Sequence, residues 1–250
     1  MPQLEWNKDT WDGGYDWSGA GDEWSSAWGG PVMQWHWVLF PRLRAFLPAD
    51  SVLEIAPGFG RWTQFLAANA KQLTVVDYAE KCIAACKARF ADKSHIAYHV
   101  NDGRTLPMVP FGSINFAFSF DSLVHVDWSI LDSYLTELAG KLKPDGVAII
   151  HHSNLGELFP NPGDRRSLEL KWHHRATDVS AVKVESRLQQ LGMQVINQEL
   201  VNWGTAELID CFTTFTPRTS AKARPNRVLR NPDFMAEADH VRKLAANYGE

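Results

Sequence analysis

The sequence contains few cysteines, and their number and spacing argue against a disulfide-stabilised scaffold. Three cysteines occur in 250 residues, so they cannot all pair. Cys82 and Cys86 are four residues apart and would lie on one face of a helix, which is not the pattern of a disulfide framework. We therefore expect Cys82, Cys86 and Cys211 to be reduced thiols in the core rather than metal ligands.

A strong excess of charge of one sign is also lacking. The 25 basic and 29 acidic side chains are interspersed and give a formal net charge of −4. Proteins that bind a phosphate backbone usually have a basic surface, so nucleic acid is not an expected partner. No apolar stretch approaches the roughly 20 residues that cross a bilayer. Because no basic start is followed by an apolar run, the sequence predicts a soluble cytoplasmic protein without a membrane span.

Alternating periodicities from residue 51 onward predict an α/β fold around one well-buried core. Strand-like and helix-like segments that alternate are typical of a parallel sheet with crossover helices. Strands are expected near 51–56, 72–77, 95–100, 114–120 and 146–152. Helices are expected at 61–69, 79–90, 128–142, 179–191 and 232–247. The segments MQVINQELVNW and AELIDCFTTFTP predict a closing antiparallel hairpin.

A glycine turn follows the first predicted strand, in the stretch VLEIAPGFGRW at 52–62. A strand that ends in such a turn often brings a nucleotide-like ligand to it. A dinucleotide site requires G-x-G-x-x-G, but Gly58 and Gly60 are followed by Thr63, so the third glycine is missing. The pattern present is E-x-x-x-G-x-G, with Glu54 four residues before Gly58.

Acidic residues at the next strand ends favour a ligand that contains ribose. Asp77 ends the second predicted strand, where its carboxylate can accept two charge-assisted hydrogen bonds from a ribose diol. A role as a strand-end cap is the alternative. The tripeptide NDG at 101–103 follows the third strand, where an Asp side chain and a backbone N–H can contact the edge of an adenine.

In this order, LEIAPGFG, VVD and NDG resemble the first motif, the ribose-binding acid and the adenine-contacting loop of class I S-adenosylmethionine-dependent methyltransferases. The resemblance covers roughly residues 51–216. It implies a Rossmann-like, doubly wound α/β fold with a seven-stranded, mostly parallel sheet whose last strand is antiparallel. The residues before this span would add an N-terminal lid. The resemblance also implies S-adenosylmethionine as cofactor, with these binding residues: Glu54, Gly58, Gly60, Asp77, Tyr78, Asn101, Asp102, Gly103 and Phe120.

Two strand ends carry candidates for the catalytic base. If the methyl acceptor is a hydroxyl, removal of its proton by a base accelerates transfer by about 10²–10⁴. FSFDSLVHVDW places Asp121 and His125 after the fourth strand, and VAIIHHSN places His151 and His152 at the end of the fifth. Alternation along a strand sends these last two to opposite sides. We predict His125 as the base and His152 as the second candidate, with a purely structural role for these histidines as the alternative.

A metal is a further expectation from the resemblance. In related sugar O-methyltransferases a histidine after the fourth strand commonly serves as the base, and some members bind Mg²⁺ through an acid in the same loop. Asp121 is the candidate for a catalytic acid or ligand of this kind. Mg²⁺ prefers oxygen ligands, so a histidine ligand would be atypical and metal dependence stays open.

Seven of the eleven tryptophans lie in the first 40 residues. Two interpretations are open for this arm: the rings pack a lid or a dimer surface onto the core, or they stack on the C–H faces of a sugar. The run KWHHRA, which begins at residue 171, and the pair Asn202 and Trp203 add a second aromatic and basic set. A homodimer is compatible with the arm.

Four short sequence motifs indicate a narrower group of methyltransferases. GDEWSSAWG, GRW, FDSLVHV and HHSNLG resemble methyltransferases of sugar-tailoring and polysaccharide pathways, including those that act on methylated mannose polysaccharides. The expected reaction is therefore methyl transfer to a hydroxyl of a sugar or polysaccharide precursor. The alternatives are a methyltransferase of a small natural product (a phenol, a polyketide or an amine) and a non-catalytic protein that retains only the cofactor fold.

We predict one domain over residues 1–250, composed of five parts. These are the arm or lid at 1–48, the cofactor-binding half at 49–153, an insertion over the acceptor site at 154–177, a closing helix and hairpin at 178–216, and a basic tail with a final helix at 217–250. Residues 217–232 include five basic side chains and no acid. This tail is either a solvated surface segment or a site for an anionic group.

Overall fold

The computed structural model describes residues 4–159, 161 and 174–249. The strands are β1 (Ala49–Ile55), β2 (Ala70–Asp77), β3 (Ile96–Val100), β4 (Ile114–Ser119), β5 (Leu142–Ser153), β6 (Met193–Val201), β7 (Asp210–Pro217) and β8 (Val228–Asn231). The helices are α1 (Leu4–Lys8), α2 (Pro31–Gln34), α3 (Phe40–Leu43), α4 (Thr63–Ala67), α5 (Glu80–Arg89), α6 (Trp128–Lys141), α7 (Leu155–Leu158), α8 (Ala181–Gln190) and α9 (Phe234–Ala246). In these ranges no helix is long and apolar enough to cross a membrane.

The strands form one twisted sheet whose order, over the described ranges, is β3-β2-β1-β4-β5-β7-β6-β8. The five strands from β1 to β5 are parallel to one another, while β7 is antiparallel to both β5 and β6. This confirms the predicted Rossmann-like fold and its antiparallel hairpin. The strand order reverses direction between β1 and β4, which places a crevice at the carboxyl ends of these strands.

The basic tail differs from its prediction because it contributes an eighth strand. β8 pairs in parallel with the open edge of β6, and Gln198 donates its backbone N–H to the carbonyl of Arg227 at 2.9 Å. The strand has four residues, is mostly exposed and lacks alternation, so its own sequence gives no strand signal. Its pairing depends on the edge that β6 offers.

Both faces of the sheet are covered by apolar side chains. Phe116 and Phe118 of β4 pack with Trp28 and Trp35 of the arm, whose side chains are 1% and 2% exposed. Packing onto the core therefore accounts for these two tryptophans. The opposite face packs against α6 and α8. The three cysteines are buried and free, as predicted.

Local signals explain where the main helices begin. The carboxylate of Asp127 accepts a hydrogen bond from the backbone N–H of Ile130 at 3.1 Å and so caps α6. The hydroxyl of Ser180 caps α8 in the same way. The predicted insertion at 154–177 is described only at 154–159, 161 and 174–177. The rest of that prediction, with the first three residues of KWHHRA, lies outside the described residues.

Candidate active site

A cavity opens at the carboxyl ends of β1, β2 and β4. The space between its walls measures about 950 Å³, a figure that includes space open to solvent. Three parts of the chain form its walls: the turn after β1, the loops after β2 to β4, and the arm between Leu4 and Trp24. The cavity therefore joins the predicted cofactor side to the predicted acceptor side.

Asp77 ends β2 and lines one end of this cavity, as expected for a ribose ligand. Its carboxylate accepts backbone hydrogen bonds from Ala79 at 2.9 Å and from Gly58 at 3.4 Å. Burial raises the pKa of Asp77 to about 7. Tyr78 and Gly103 line the same end. The carboxylate of Asp77 lies beside Tyr78 and Gly103 and suits a pair of ribose hydroxyls, which would donate hydrogen bonds to its two oxygens.

The two glycines of the turn serve different purposes. Gly58 lines the cavity with a φ of 58°, and a Cβ there would lie 3.1 Å from the ring of Trp17. Gly60 has a φ of 89°, and a Cβ there would lie 2.5 Å from the ring of Phe90. Gly60 therefore permits close packing against α5, whereas Gly58 leaves room at the cavity wall.

Glu54 supports the turn from beneath and does not line the cavity. Its side chain is buried and accepts a hydrogen bond from the hydroxyl of Thr63 at 2.6 Å. Burial raises the pKa of Glu54 to about 8. The carboxyl group is therefore mostly neutral at pH 7, and its contact with Thr63 links β1 to the start of α4.

The NDG loop after β3 contributes its glycine to the cavity wall. Its two polar side chains make hydrogen bonds with neighbouring groups of the protein. Asn101 donates to the hydroxyl of Tyr134 at 3.0 Å and accepts from the backbone of Gly103 at 3.1 Å. Asp102 is exposed and accepts from the backbone of Thr105 at 2.6 Å. Neither Asn101 nor Asp102 lines the cavity in the described part of the chain, so both shape the loop that presents Gly103.

His125, the first predicted base, lines the cavity on its acceptor side. Its ring centroid lies 5.7 Å from that of Trp11. Burial, together with the nearby Arg175 guanidinium, lowers the pKa of His125 to about 4. The imidazole is therefore unprotonated at pH 7, although the lowered pKa also makes it a weaker base than a free histidine.

His152, the second predicted base, is fully buried away from the cavity. Its Nε2 lies 2.7 Å from the hydroxyl of Thr213, and its Nδ1 lies 2.8 Å from the carbonyl of Ser153. Both ring nitrogens thus have partners within the sheet, and the geometry offers no support for His152 as a base. Its neighbour His151 packs behind Phe120, with ring centroids 4.9 Å apart. Phe120 itself lines the cavity.

Asp121 lines the cavity, but its carboxylate is already paired with a cation. Arg61 Nη2 donates to Asp121 Oδ2 at 2.9 Å. Across the residues that the structure describes, no group of three or more His, Cys, Asp or Glu side chains could hold a metal ion. The residues therefore do not fit the Mg²⁺ site expected from the sequence. Sequence reasoning missed the pair because its members are 60 positions apart.

Aromatic residues of the arm form the outer wall of the cavity. Trp11, Trp17 and Trp24 line it, and Trp17 stacks on Phe59 with ring centroids 4.3 Å apart and an interplanar angle of 3°. The arm is attached to α5 through two carboxylates. Asp12 accepts the backbone N–H of Lys81 at 3.1 Å, and Asp22 pairs with Arg89 at 2.9 Å.

Comparison with known proteins agrees with this geometry. Residues 52–146 match the family model described as a methyltransferase domain. That span contains the glycine turn, Asp77 and the cavity loops after β3 and β4. No curated protein matches the sequence significantly.

Solved structures share the fold at low sequence identity. PH0226 from Pyrococcus horikoshii OT3 is 22% identical with a TM-score of 0.54, covering 72% of this chain and 87% of that one. The N-methyltransferase NodS from Bradyrhizobium japonicum WM9, in complex with S-adenosyl-L-homocysteine, is 18% identical with a TM-score of 0.54, covering 74% and 87%. The [4+2]-cyclase SpnF is 16% identical with a TM-score of 0.57, covering 74% and 82%.

Proposed function

We propose that this chain, in which residues 52–146 match a family model described as a methyltransferase domain, is a class I S-adenosylmethionine-dependent methyltransferase that transfers the methyl group to a hydroxyl of a sugar or polysaccharide precursor. One observation carries the proposal. A single cavity joins the Asp77 end, which suits a ribose, to a compartment lined by tryptophans and His125. A cofactor bound at the first end would direct its methyl group towards an acceptor in the second.

The acceptor compartment has the chemistry that a sugar hydroxyl requires. Trp11, Trp17 and Trp24 offer flat apolar faces that stack on the C–H faces of a pyranose. His125 is neutral at pH 7 because burial and Arg175 lower its pKa, so it can take the hydroxyl proton as the methyl group is transferred. S-adenosylmethionine, when bound, would supply the activated methyl group, and S-adenosylhomocysteine would be the by-product.

The arm acts as a lid in this proposal. Residues between Leu4 and Trp24 lie across the cavity and are attached to α5 by Asp12 and Asp22. Displacement of this segment would admit the ligands, and its return would exclude water from the reacting atoms. Water exclusion strengthens the electrostatic interactions that hold the methyl donor and acceptor in line.

Methylation of a small natural product is the second candidate. The same aromatic walls, completed by Trp62 and Phe59, would also stack on a planar phenol. NodS, which shares the fold, is an N-methyltransferase, so the fold accommodates other acceptor atoms. An amine acceptor would not require the arm to bind C–H faces.

Calorimetry with S-adenosylhomocysteine tests the cofactor assignment. Asp77→Ala removes the acceptor for the ribose hydroxyls and should weaken binding by about 10- to 100-fold, since hydrogen bonds to charged groups contribute roughly 1.5–3 kcal/mol. Gly58→Val should weaken it at least as much, because a side chain at this φ is strained and meets Trp17. Asp102→Asn is the control, because Asp102 does not line the cavity. Absence of binding by the parent protein would refute the assignment.

Methyl transfer from a labelled cofactor to a panel of mannosides, rhamnosides and catechols tests the acceptor. We expect label in the mannosides or rhamnosides and little in the catechols. Label confined to catechols would favour the small-molecule candidate and refute the sugar proposal. The position of the new methyl ether, read by mass spectrometry, would identify the hydroxyl that His125 deprotonates.

A further inference from the structure

Five residues form a series of contacts from the interior of the sheet to the cavity, and the backbone of Asp121 provides one of its links. Arg175 Nε and Nη2 donate to the two carboxylate oxygens of Asp210 at 2.7–2.8 Å. His151 Nε2 lies 3.3 Å from Asp210 Oδ2. The backbone N–H of Asp121 donates to His151 Nδ1 at 3.1 Å. Arg61 completes the series through its 2.9 Å pair with Asp121.

These contacts fix the tautomer of His151. Because Nδ1 accepts the N–H of Asp121, it carries no proton, and the ring proton resides on Nε2, which faces Asp210. Burial alone would raise the pKa of Asp210, but Arg175 and His151 hold it below its usual range. The rings of Phe120 and Phe212 stack on His151 at 4.9 and 4.6 Å. His151 is thereby fixed in both position and orientation.

Asp121 depends on this support because its backbone is strained. Its φ is 59°, a left-handed conformation that residues other than glycine seldom adopt. The hydrogen bond to His151 Nδ1 holds the N–H of Asp121 in that conformation. The same backbone geometry directs the carboxylate to Arg61, the third residue after Gly58 in the glycine turn.

Arg61 has capacity for one more partner. It lines the cavity with its side chain 9% exposed, and Nη2 is bonded to Asp121. Its Nη1 is buried and has no hydrogen-bond partner among the residues that the structure describes. A buried donor of this kind is unfavourable unless a ligand supplies the acceptor. Arg61 and Asp77 both line the cavity, so a cofactor with its ribose at Asp77 would be able to bring its amino-acid group to Arg61.

We propose that Arg61 binds the α-carboxylate of the cofactor's amino-acid group, and that His151, Asp210 and Arg175 are positioning residues that hold Arg61 through Asp121. The inference rests on the proposed function, since the ligand is the methyl donor. The amino-acid group is a zwitterion, so its carboxylate and ammonium complement Arg61 and Asp121 respectively. A change at Arg175 then alters affinity at the glycine turn, although Arg175 is not among the described residues that line the cavity.

Binding of two ligands tests the role of Arg61. S-adenosylhomocysteine and its decarboxylated analogue differ only in the carboxylate, so the ratio of their dissociation constants isolates its contribution. The parent should prefer S-adenosylhomocysteine by at least tenfold. Arg61→Met should reduce that preference to within about twofold and leave the affinity for the analogue unchanged. The control is Arg187→Met, which removes the ion pair with Asp132 between α6 and α8 and should preserve the ratio.

Substitutions at His151 test the positioning series. His151→Phe keeps an aromatic ring between Phe120 and Phe212 but removes the acceptor for Asp121, and should lower the affinity ratio by at least fivefold. His151→Asn offers an oxygen close to the place of Nδ1 and should restore much of the ratio, which a loss of general stability would not do. If His151→Phe does not fold, Asp121→Asn, which keeps the shape of the side chain but weakens its pairing with Arg61, gives the same readout.

The binding measurements test the role of Arg61, and the methylation assay tests the proposed function separately. If Arg61→Met weakens both ligands equally, or neither, Arg61 does not bind the carboxylate. If the ratio survives in His151→Phe, the positioning series is wrong. A parent that binds S-adenosylhomocysteine but methylates no hydroxyl refutes the proposed function, while the ratio still decides the role of Arg61. A parent that binds neither ligand refutes both.

Discussion

At the scale of single residues, burial determines the charge state of the side chains that line the cavity. Asp77 has a pKa raised to about 7 by burial, whereas the ribose hydroxyls require its ionised form. At pH values below about 7, cofactor binding must therefore release the proton from Asp77. The affinity for the cofactor is lower there because only the protein molecules with an ionised Asp77 can bind it.

Cofactor affinity should consequently rise with pH. Between about pH 6 and pH 8, the dissociation constant of S-adenosylhomocysteine should fall by up to about tenfold and then level off, because Asp77 passes from mostly protonated to mostly ionised. Calorimetry in buffers of different ionisation enthalpy would measure both the affinity and the proton release. Asp77→Asn should show weak binding without this pH dependence. A parent affinity that is constant over the range would contradict the prediction.

His125 provides the second prediction at this scale. Its pKa is lowered to about 4 by burial and by Arg175, so it stays unprotonated well below pH 6. Turnover should not show the loss near pH 6.5 that an ordinary histidine base causes. His125→Ala should reduce kcat by about 10²- to 10⁴-fold with little change in cofactor affinity. If His152→Gln abolished turnover while His125→Ala did not, the assignment of the base would be reversed.

At the scale of elements, the arm is held over the cavity by few polar contacts. The pairs that link it to α5 involve Asp12 and Asp22, and the Asp22 to Arg89 pair is about one-third exposed on each side. Exposed ion pairs contribute only about 0.2–1 kcal/mol each to stability. These polar contacts therefore stabilise the closed position of the arm only weakly. The stacking of Trp17 on Phe59 adds an apolar contact at the centre of the wall.

Removal of these contacts should therefore accelerate ligand exchange more than it reduces stability. Asp22→Ala should raise the dissociation rate of S-adenosylhomocysteine by about two- to fivefold, in proportion to the lost pair. Stopped-flow tryptophan fluorescence would measure it, with Asp239→Ala on α9 as a control that removes a surface pair with Arg242. An unchanged rate would show that the arm does not limit exchange.

At the scale of the whole molecule, cofactor binding should stabilise the fold because the cavity is built from the arm, three strand ends and their loops. A ligand at 100 times its dissociation constant adds about 2.7 kcal/mol if it binds only the folded state. For a chain of this size the midpoint of thermal unfolding should rise by about 5–10 °C. Asp77→Ala should lose most of the increase at the same ligand concentration, and an equal increase in this variant would contradict the site.

The sequence predicted the parts of the fold that short segments specify. The glycine turn and Asp77 follow buried strands directly, so their place at the strand ends could be inferred from local periodicity. Which of His151 and His152 faces the cavity loops could not, because it depends on the register of β5 between β4 and β7. The pairs of Arg61 with Asp121 and of Arg175 with Asp210 are distant in sequence and emerge only from the folded sheet.

β8 has a consequence for how copies of this protein meet one another. An uncovered β6 would present unpaired N–H and C=O groups to any passing strand, which is a common origin of aggregation. β8 occupies those groups with a short, exposed strand that carries Arg230 and follows Arg227. In the described part of the chain, β8 pairs only with residues 198–201 of β6 and becomes the edge of the sheet itself. A short edge strand with basic side chains is less prone to pair with a further strand than a long, uncharged one.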